Sequence, residues 1–115
     1  MSLIVVEAAI TIADPSNRES LIARTAPIQK ATRDDESGCL VYCFAADPCQ
    51  PDLIQCYELW ESEEALAAHL THSNYLEMRS MLRDGGIVSG PSRKHRIDAT
   101  APVYDANRVP TASFD

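Results

Sequence analysis

From Leu3 to Ala13 the chain alternates loosely between apolar and polar positions and is rich in Ile and Val, the pattern of a strand buried on at least one face. Asp14-Pro15 then reads as a helix start, with Asp at the N-cap and Pro at the first helical position. Leu21, Thr25, Ile28 and Thr32, with Ile22 beside them, recur every three to four residues and mark the inner face of that helix. Pro27 lies within the stretch and predicts a kink. Arg33-Asp34-Asp35-Glu36 reads as a solvated helix end, and Gly38 suits the turn beyond it.

Two strand-like runs follow, Cys39 to Ala46 and Leu53 to Trp60, around the turn-forming Asp47-Pro48-Cys49-Gln50-Pro51-Asp52. If Asp47 faces Asp52, then Tyr42 faces Tyr57, Leu40 faces Leu59 and Cys43 faces Cys56. One side of this hairpin would carry Leu40, Tyr42, Phe44, Tyr57 and Leu59. The other would carry Cys39, Val41, Cys43, Cys56 and Trp60, with Glu58 among them. Two apolar faces need two covers. Helices supply one, and a second copy of the chain is the economical choice for the other.

Ser62 caps the next helical stretch, whose first turn carries Glu63 and Glu64 and whose inner face carries Ala65, Leu66, His69 and Leu70. Ser73 looks like a fresh cap for a helix through Tyr75, Met78 and Leu82 that ends at Gly85-Gly86. Gly90-Pro91 is a turn and Ser92 to Ala99 a last strand. The order β-α-β-β-α(α)-β is that of an α+β, ferredoxin-like split βαβ domain. It occupies residues 1–99 and leaves 100–115 as a loose tail or an arm exchanged within a dimer.

Composition narrows the function. A chain of 115 residues fits one domain, and 45% hydrophobic residues argue for a packed core. Ten Lys and Arg against 17 Asp and Glu leave a net charge of −7, which disfavours nucleic acid. No run approaches the roughly 20 apolar residues of a membrane span. The N-terminal Ser2-Leu3-Ile4-Val5-Val6-Glu7 has no basic flank and reads as a strand rather than a signal peptide, so a cytoplasmic protein is expected. Cys39, Cys43, Cys49 and Cys56 show no C-x-x-C spacing, so reduced thiols are preferred to a metal site or to a Cys43–Cys56 bridge.

His69 is the most informative residue, since its helical spacing points it at the hairpin. There it is either a pocket base or a structural histidine satisfied by a carbonyl. His72 falls at a helix junction and His95 in a strand, which suits surface and structural roles. Tyr42, Tyr57 and Trp60 form a candidate aromatic lining, or simply core. Glu58 is an acid on an apolar face that sits at a rim, pairs with an arginine or serves a pocket, and pairing is the simplest account of it. Arg79 and Arg83, one turn apart, are candidates for that pair or for an anionic substrate group. No nucleophile elbow, phosphate loop, metal triad or dinucleotide fingerprint is present.

Three blocks carry a resemblance: Glu36-Ser37-Gly38-Cys39-Leu40-Val41-Tyr42, Tyr57-Glu58-Leu59-Trp60-Glu61-Ser62 and Ala65-Leu66-Ala67-Ala68-His69-Leu70. Their order and spacing resemble the antibiotic biosynthesis monooxygenase family over about residues 3–99. The resemblance implies a dimeric α+β barrel, a homodimer. Some members oxidise anthrone-like or quinol substrates with O₂ and use no metal, flavin or haem. A small aromatic substrate and O₂ are then the partners, and no cofactor is expected. The protein supplies a base, a shaped pocket and exclusion of water. On this reading His69 is the base or orienting donor, Tyr42, Tyr57 and Trp60 are pocket walls, and Asn74 and Arg79 are polar contacts. The competing class is a non-catalytic small-molecule-binding or stress-responsive dimer on the same fold. In the haem-degrading branch of the superfamily, the functional Asn, Trp and His positions correspond to Ala8, His69 and Arg79, and none matches. Asn74 stands where many members carry a second histidine.

Overall fold

The alternation read at the N-terminus becomes strand β1, Ile4–Ile12, in a computed structural model that describes residues 2–115. Its even-numbered residues Ile4, Ile10 and Ile12 are buried against helices, while Val5, Glu7 and Ala9 lie on the opposite face. Asp14 Oδ1 then accepts from the Ser16 N–H at 3.0 Å and caps a single tight turn, Pro15–Asn17, that feeds helix α1, Arg18–Asp35. Leu21, Thr25, Ile28 and Thr32 are buried as their spacing predicts, and Gln29 joins them. The Gln29 side chain is buried because it exchanges two hydrogen bonds with the Phe44 backbone, at 2.9 and 3.2 Å. The helix runs on through Pro27, which sits on its exposed side.

Strands β2, Cys39–Ala46, and β3, Leu53–Trp60, form the expected hairpin, but one residue out of the expected register. Tyr42 faces Glu58, Cys43 faces Tyr57 and Phe44 faces Cys56, and an irregularity at Leu40 returns Cys39 to its place opposite Trp60. A slip of one residue moves a whole strand's side chains to the other face. Tyr42 and Phe44 therefore share the helix-covered face with Cys56, Glu58 and Trp60, whereas Tyr57 and Leu59 lie on the far face with Val41 and Cys43. All four cysteines are free. The turn ties back to the helix, since Arg18 donates to the carbonyls of Asp47, Gln50 and Leu53.

Helix α2, Glu63–Leu70, starts where Ser62 Oγ accepts from the Ala65 N–H at 3.1 Å. Helix α3, Ser73–Asp84, is capped by the His72 ring rather than by Ser73; its Nδ1 accepts from the Asn74 N–H at 3.0 Å. The last strand, expected from Ser92 to Ala99, is β5, Ser92–Arg96, and a short strand the sequence did not predict, β4, Ile87–Ser89, precedes the Gly90-Pro91 turn; both pair with β1. The five strands are antiparallel in the order β2-β3-β1, with β4 and β5 sharing the far edge, and three helices accompany the sheet. The fold is α+β and ferredoxin-like. On the open face Glu7 pairs with Arg93 and His95, at 2.9 Å each. Residues 100–115 make a small loop around Asp105 that leaves Val103, Tyr104, Val109 and Phe114 exposed.

Gly38 governs how the sheet meets α2. Its φ of +88° turns the chain from α1 into β2, and a Cβ there would lie 2.5 Å from the Ala65 Cβ. That close approach brings the C-terminal end of α1 against α2, which is where the chemistry gathers.

Candidate functional site

Glu36 follows the last turn of α1 with an extended backbone, φ −94° and ψ 113°, and this swings its side chain away from solvent. The solvated helix end expected for it holds for Arg33, Asp34 and Asp35 but not for Glu36, which is 9% exposed. Its Oε1 lies 2.7 Å from His69 Nδ1, and its Oε2 accepts from Asn74 Nδ2 at 3.1 Å. His72 Nδ1 stands 3.9 Å from the same Oε2. One acid therefore joins the end of α1 to α2 and α3. A carboxylate accepts, so it selects the His69 tautomer that carries the proton on Nδ1. In that tautomer the lone pair is on Nε2, which has no protein partner among the described residues.

Aromatic rings hold the imidazole in place. The Trp60 ring lies 4.5 Å from it, centroid to centroid, while Tyr42 and Tyr75 meet it edge-on at 5.4 Å each. His69 is 1% exposed and borders a cavity of about 360 Å³ between the sheet and helices α2 and α3. Val6, Ala8, Ile10, Phe44, Leu66 and Met78 make its walls apolar, and Arg79 and Lys94 stand at its rim. A volume of this order suits a small flat molecule.

The floor carries a second acid. Glu58 Oε1 accepts from Trp60 Nε1 at 2.9 Å and Oε2 from the Cys56 thiol at 3.3 Å. No arginine pairs with it among the described residues, contrary to the expectation for Arg79 or Arg83. Burial first, and the Glu58 charge second, push the Cys56 thiol and the Tyr42 phenol well above their usual ranges. Both keep their protons near neutrality. Cys39, beside Glu36, is likewise raised to about 11, chiefly by burial. The Tyr42 hydroxyl makes no hydrogen bond to the described residues and borders the cavity, where it can donate to a ligand oxygen.

The expected site residues separate into three positions. His69, Tyr42 and Arg79 line the cavity. Trp60 and Asn74 lie behind it, Trp60 fully buried beneath the imidazole and Asn74 spent on Glu36, so neither is a wall or a free polar contact. Tyr57 is on the opposite face of the sheet, 45% exposed, because the observed register turns it away. Sequence reasoning missed Glu36. The signal that pointed to it was Gly38, two residues on, whose left-handed backbone reverses the chain just where Glu36 must turn inward.

A ferredoxin-like domain with a buried acid–histidine pair at the edge of an apolar cavity is the class that fold and site define. The chain belongs to the antibiotic biosynthesis monooxygenase family, whose model matches residues 3–80. Among solved structures it is similar to a candidate antibiotic biosynthesis monooxygenase from Caulobacter crescentus, with TM-score 0.75 and 18% identity, covering 87% of this chain and 92% of that one. A second candidate from Deinococcus radiodurans superposes with TM-score 0.73 at 18% identity, covering 89% and 99%. A Bacteroides thetaiotaomicron protein of unknown function, described as a possible oxidoreductase, gives 0.72 at 20%, covering 84% and 98%. At these identities the likeness is one of fold. No curated protein matches the chain. No helix of the described residues is long and apolar enough to cross a membrane.

Proposed function

We propose that the protein is a cofactor-independent monooxygenase that acts on a quinol- or anthrone-like substrate. The observation that carries this reading is the Glu36–His69 pair, which leaves one imidazole nitrogen free at the wall of an apolar cavity. Such a nitrogen takes the acidic proton of a substrate held against it. The anion that forms is rich in electrons, and the Tyr42 hydroxyl stabilises its oxygen. The anion passes electrons to O₂; one oxygen atom enters the ring carbon and the other leaves as water, with an anthrone becoming a quinone. Apolar walls keep bulk water from quenching the anion.

The test is oxygen uptake by the purified protein with a panel of quinols and anthrones, each corrected for its spontaneous oxidation. Uptake that is protein-dependent and stoichiometric with product supports the reading. Binding of the panel without any uptake would instead indicate the non-catalytic binding dimer.

We propose as well that the molecule is a homodimer. Support comes from the open sheet face, where Val41, Cys43, Tyr57 and Leu59 have no cover, and from the exposed apolar residues of 100–115, an arm suited to reach a second copy. Sedimentation at micromolar concentration should give a dimer, and removing residues 100–115 should weaken it. A monomer of the full chain would refute the pairing.

A further inference from the structure

Positive charge gathers at the mouth of the cavity in a chain whose net charge is −7. On α3, Tyr75, Met78, Arg79 and Leu82 recur at helical spacing and all border the cavity, so Arg79 lies on the cavity face of its helix. On the sheet, Lys94 stands opposite Val6, a wall of the cavity. Residues opposed across an antiparallel pair share a face, which puts Lys94 on the cavity side too. Arg93 beside it leaves on the other face and is spent on Glu7. Arg79 and Lys94 are exposed, and neither pairs with an acid among the described residues. Among those residues Glu58 alone brings a carboxylate to the cavity, and it is buried in the floor against the Trp60 indole and the Cys56 thiol. A helix wall and a sheet wall thus each bring an unpaired cation to the entrance of an apolar space.

We infer that the ligand of this cavity carries a carboxylate at its outer end, drawn to Arg79 and Lys94, while its flat apolar body lies within. This rests on the cavity being the substrate site, and it adds an acidic substituent to the ring system proposed above. A guanidinium matches a carboxylate with two parallel N–H donors, and the Lys94 ammonium adds a compact charge. At the floor the Glu58 carboxylate disfavours a second negative group, so the acid is directed outward. The two cations would then set both which ligands enter and which end enters first.

The test is calorimetric titration with naphthalene-2-carboxylate and with its neutral counterpart, naphthalene-2-carboxamide. Neither consumes oxygen, so binding is read apart from turnover. At about 20 mM NaCl the wild-type protein should bind the acid about five- to tenfold more tightly than the amide, and at about 500 mM NaCl only about twofold. Combining Arg79→Gln with Lys94→Gln should bring the preference to about twofold or less at low salt and leave the amide bound as before. Arg24→Gln removes an exposed charge from α1, away from the cavity, and should keep the wild-type preference. Amide bound by the wild type as tightly as the acid overturns the inference. So does a preference that survives the double substitution, one lost equally in Arg24→Gln, or no binding of the acid at millimolar concentration. Oxygen uptake with the quinol panel is scored separately. An acid preference that depends on Arg79 and Lys94, with no quinol consuming oxygen, sinks the turnover reading and leaves this one standing. Turnover without an acid preference does the reverse.

Discussion

His69→Gln is expected to lower quinol- or anthrone-dependent oxygen uptake on the order of 10²- to 10⁴-fold, the usual worth of a positioned general base. Glutamine keeps an amide donor for Glu36, so the buried acid retains a partner while the basic nitrogen is lost. His69→Ala should abolish uptake equally but destabilise the fold, because it leaves Glu36 buried beside an empty space. The companion change is Glu36→Gln. An amide has one acceptor, and Asn74 Nδ2 claims it, so the amide N–H₂ then faces His69 Nδ1. The imidazole must move its proton to Nε2, the nitrogen that has to be free. Loss of an orienting acid in this manner has large effects in other acid–histidine systems, and a fall on the order of 10²-fold is expected here. Uptake rates at saturating substrate measure both. Unchanged uptake in His69→Gln would remove His69 from the chemistry altogether.

Trp60→Ala should be the most damaging change to stability. The indole is fully buried beneath His69 and beside Tyr42, and truncating a buried aromatic costs about 3–5 kcal/mol. The lost N–H also leaves Glu58 with the thiol alone, a further penalty of about 1–3 kcal/mol. Against a total stability of about 5–15 kcal/mol for a domain, the variant should lose a large share of it. Trp60→Phe separates the two effects, since it fills most of the space and removes only the donor. Urea unfolding followed by circular dichroism gives both values without relying on the one tryptophan. A Trp60→Ala loss below about 1 kcal/mol would mean that the core does not rest on this ring.

Neither change is read off residue type alone. Trp60 on a strand and His69 three residues after Leu66 were legible from spacing, and both are buried on the helix-covered side. Glu36 was not. Nothing in a run of four charged residues says which one turns inward, and that depends on the backbone leaving the helix at Glu36 and reversing at Gly38. The division of Tyr42 from Tyr57 likewise hung on a single residue of register, set by the irregularity at Leu40 and not by the apolar pattern, which both registers satisfy.

Local periodicity and capping chemistry thus specified the β-α-β-β-α-α order, the inner face of α1 and the inward aim of His69, because these depend on neighbours within a turn or two of chain. The acid behind His69 and the extent of the cavity join residues 33 to 38 positions apart, or depend on a strand register. Contacts at that separation arise only when helices dock on a sheet, and there packing and the satisfaction of buried polar atoms, rather than local preference, choose the partner.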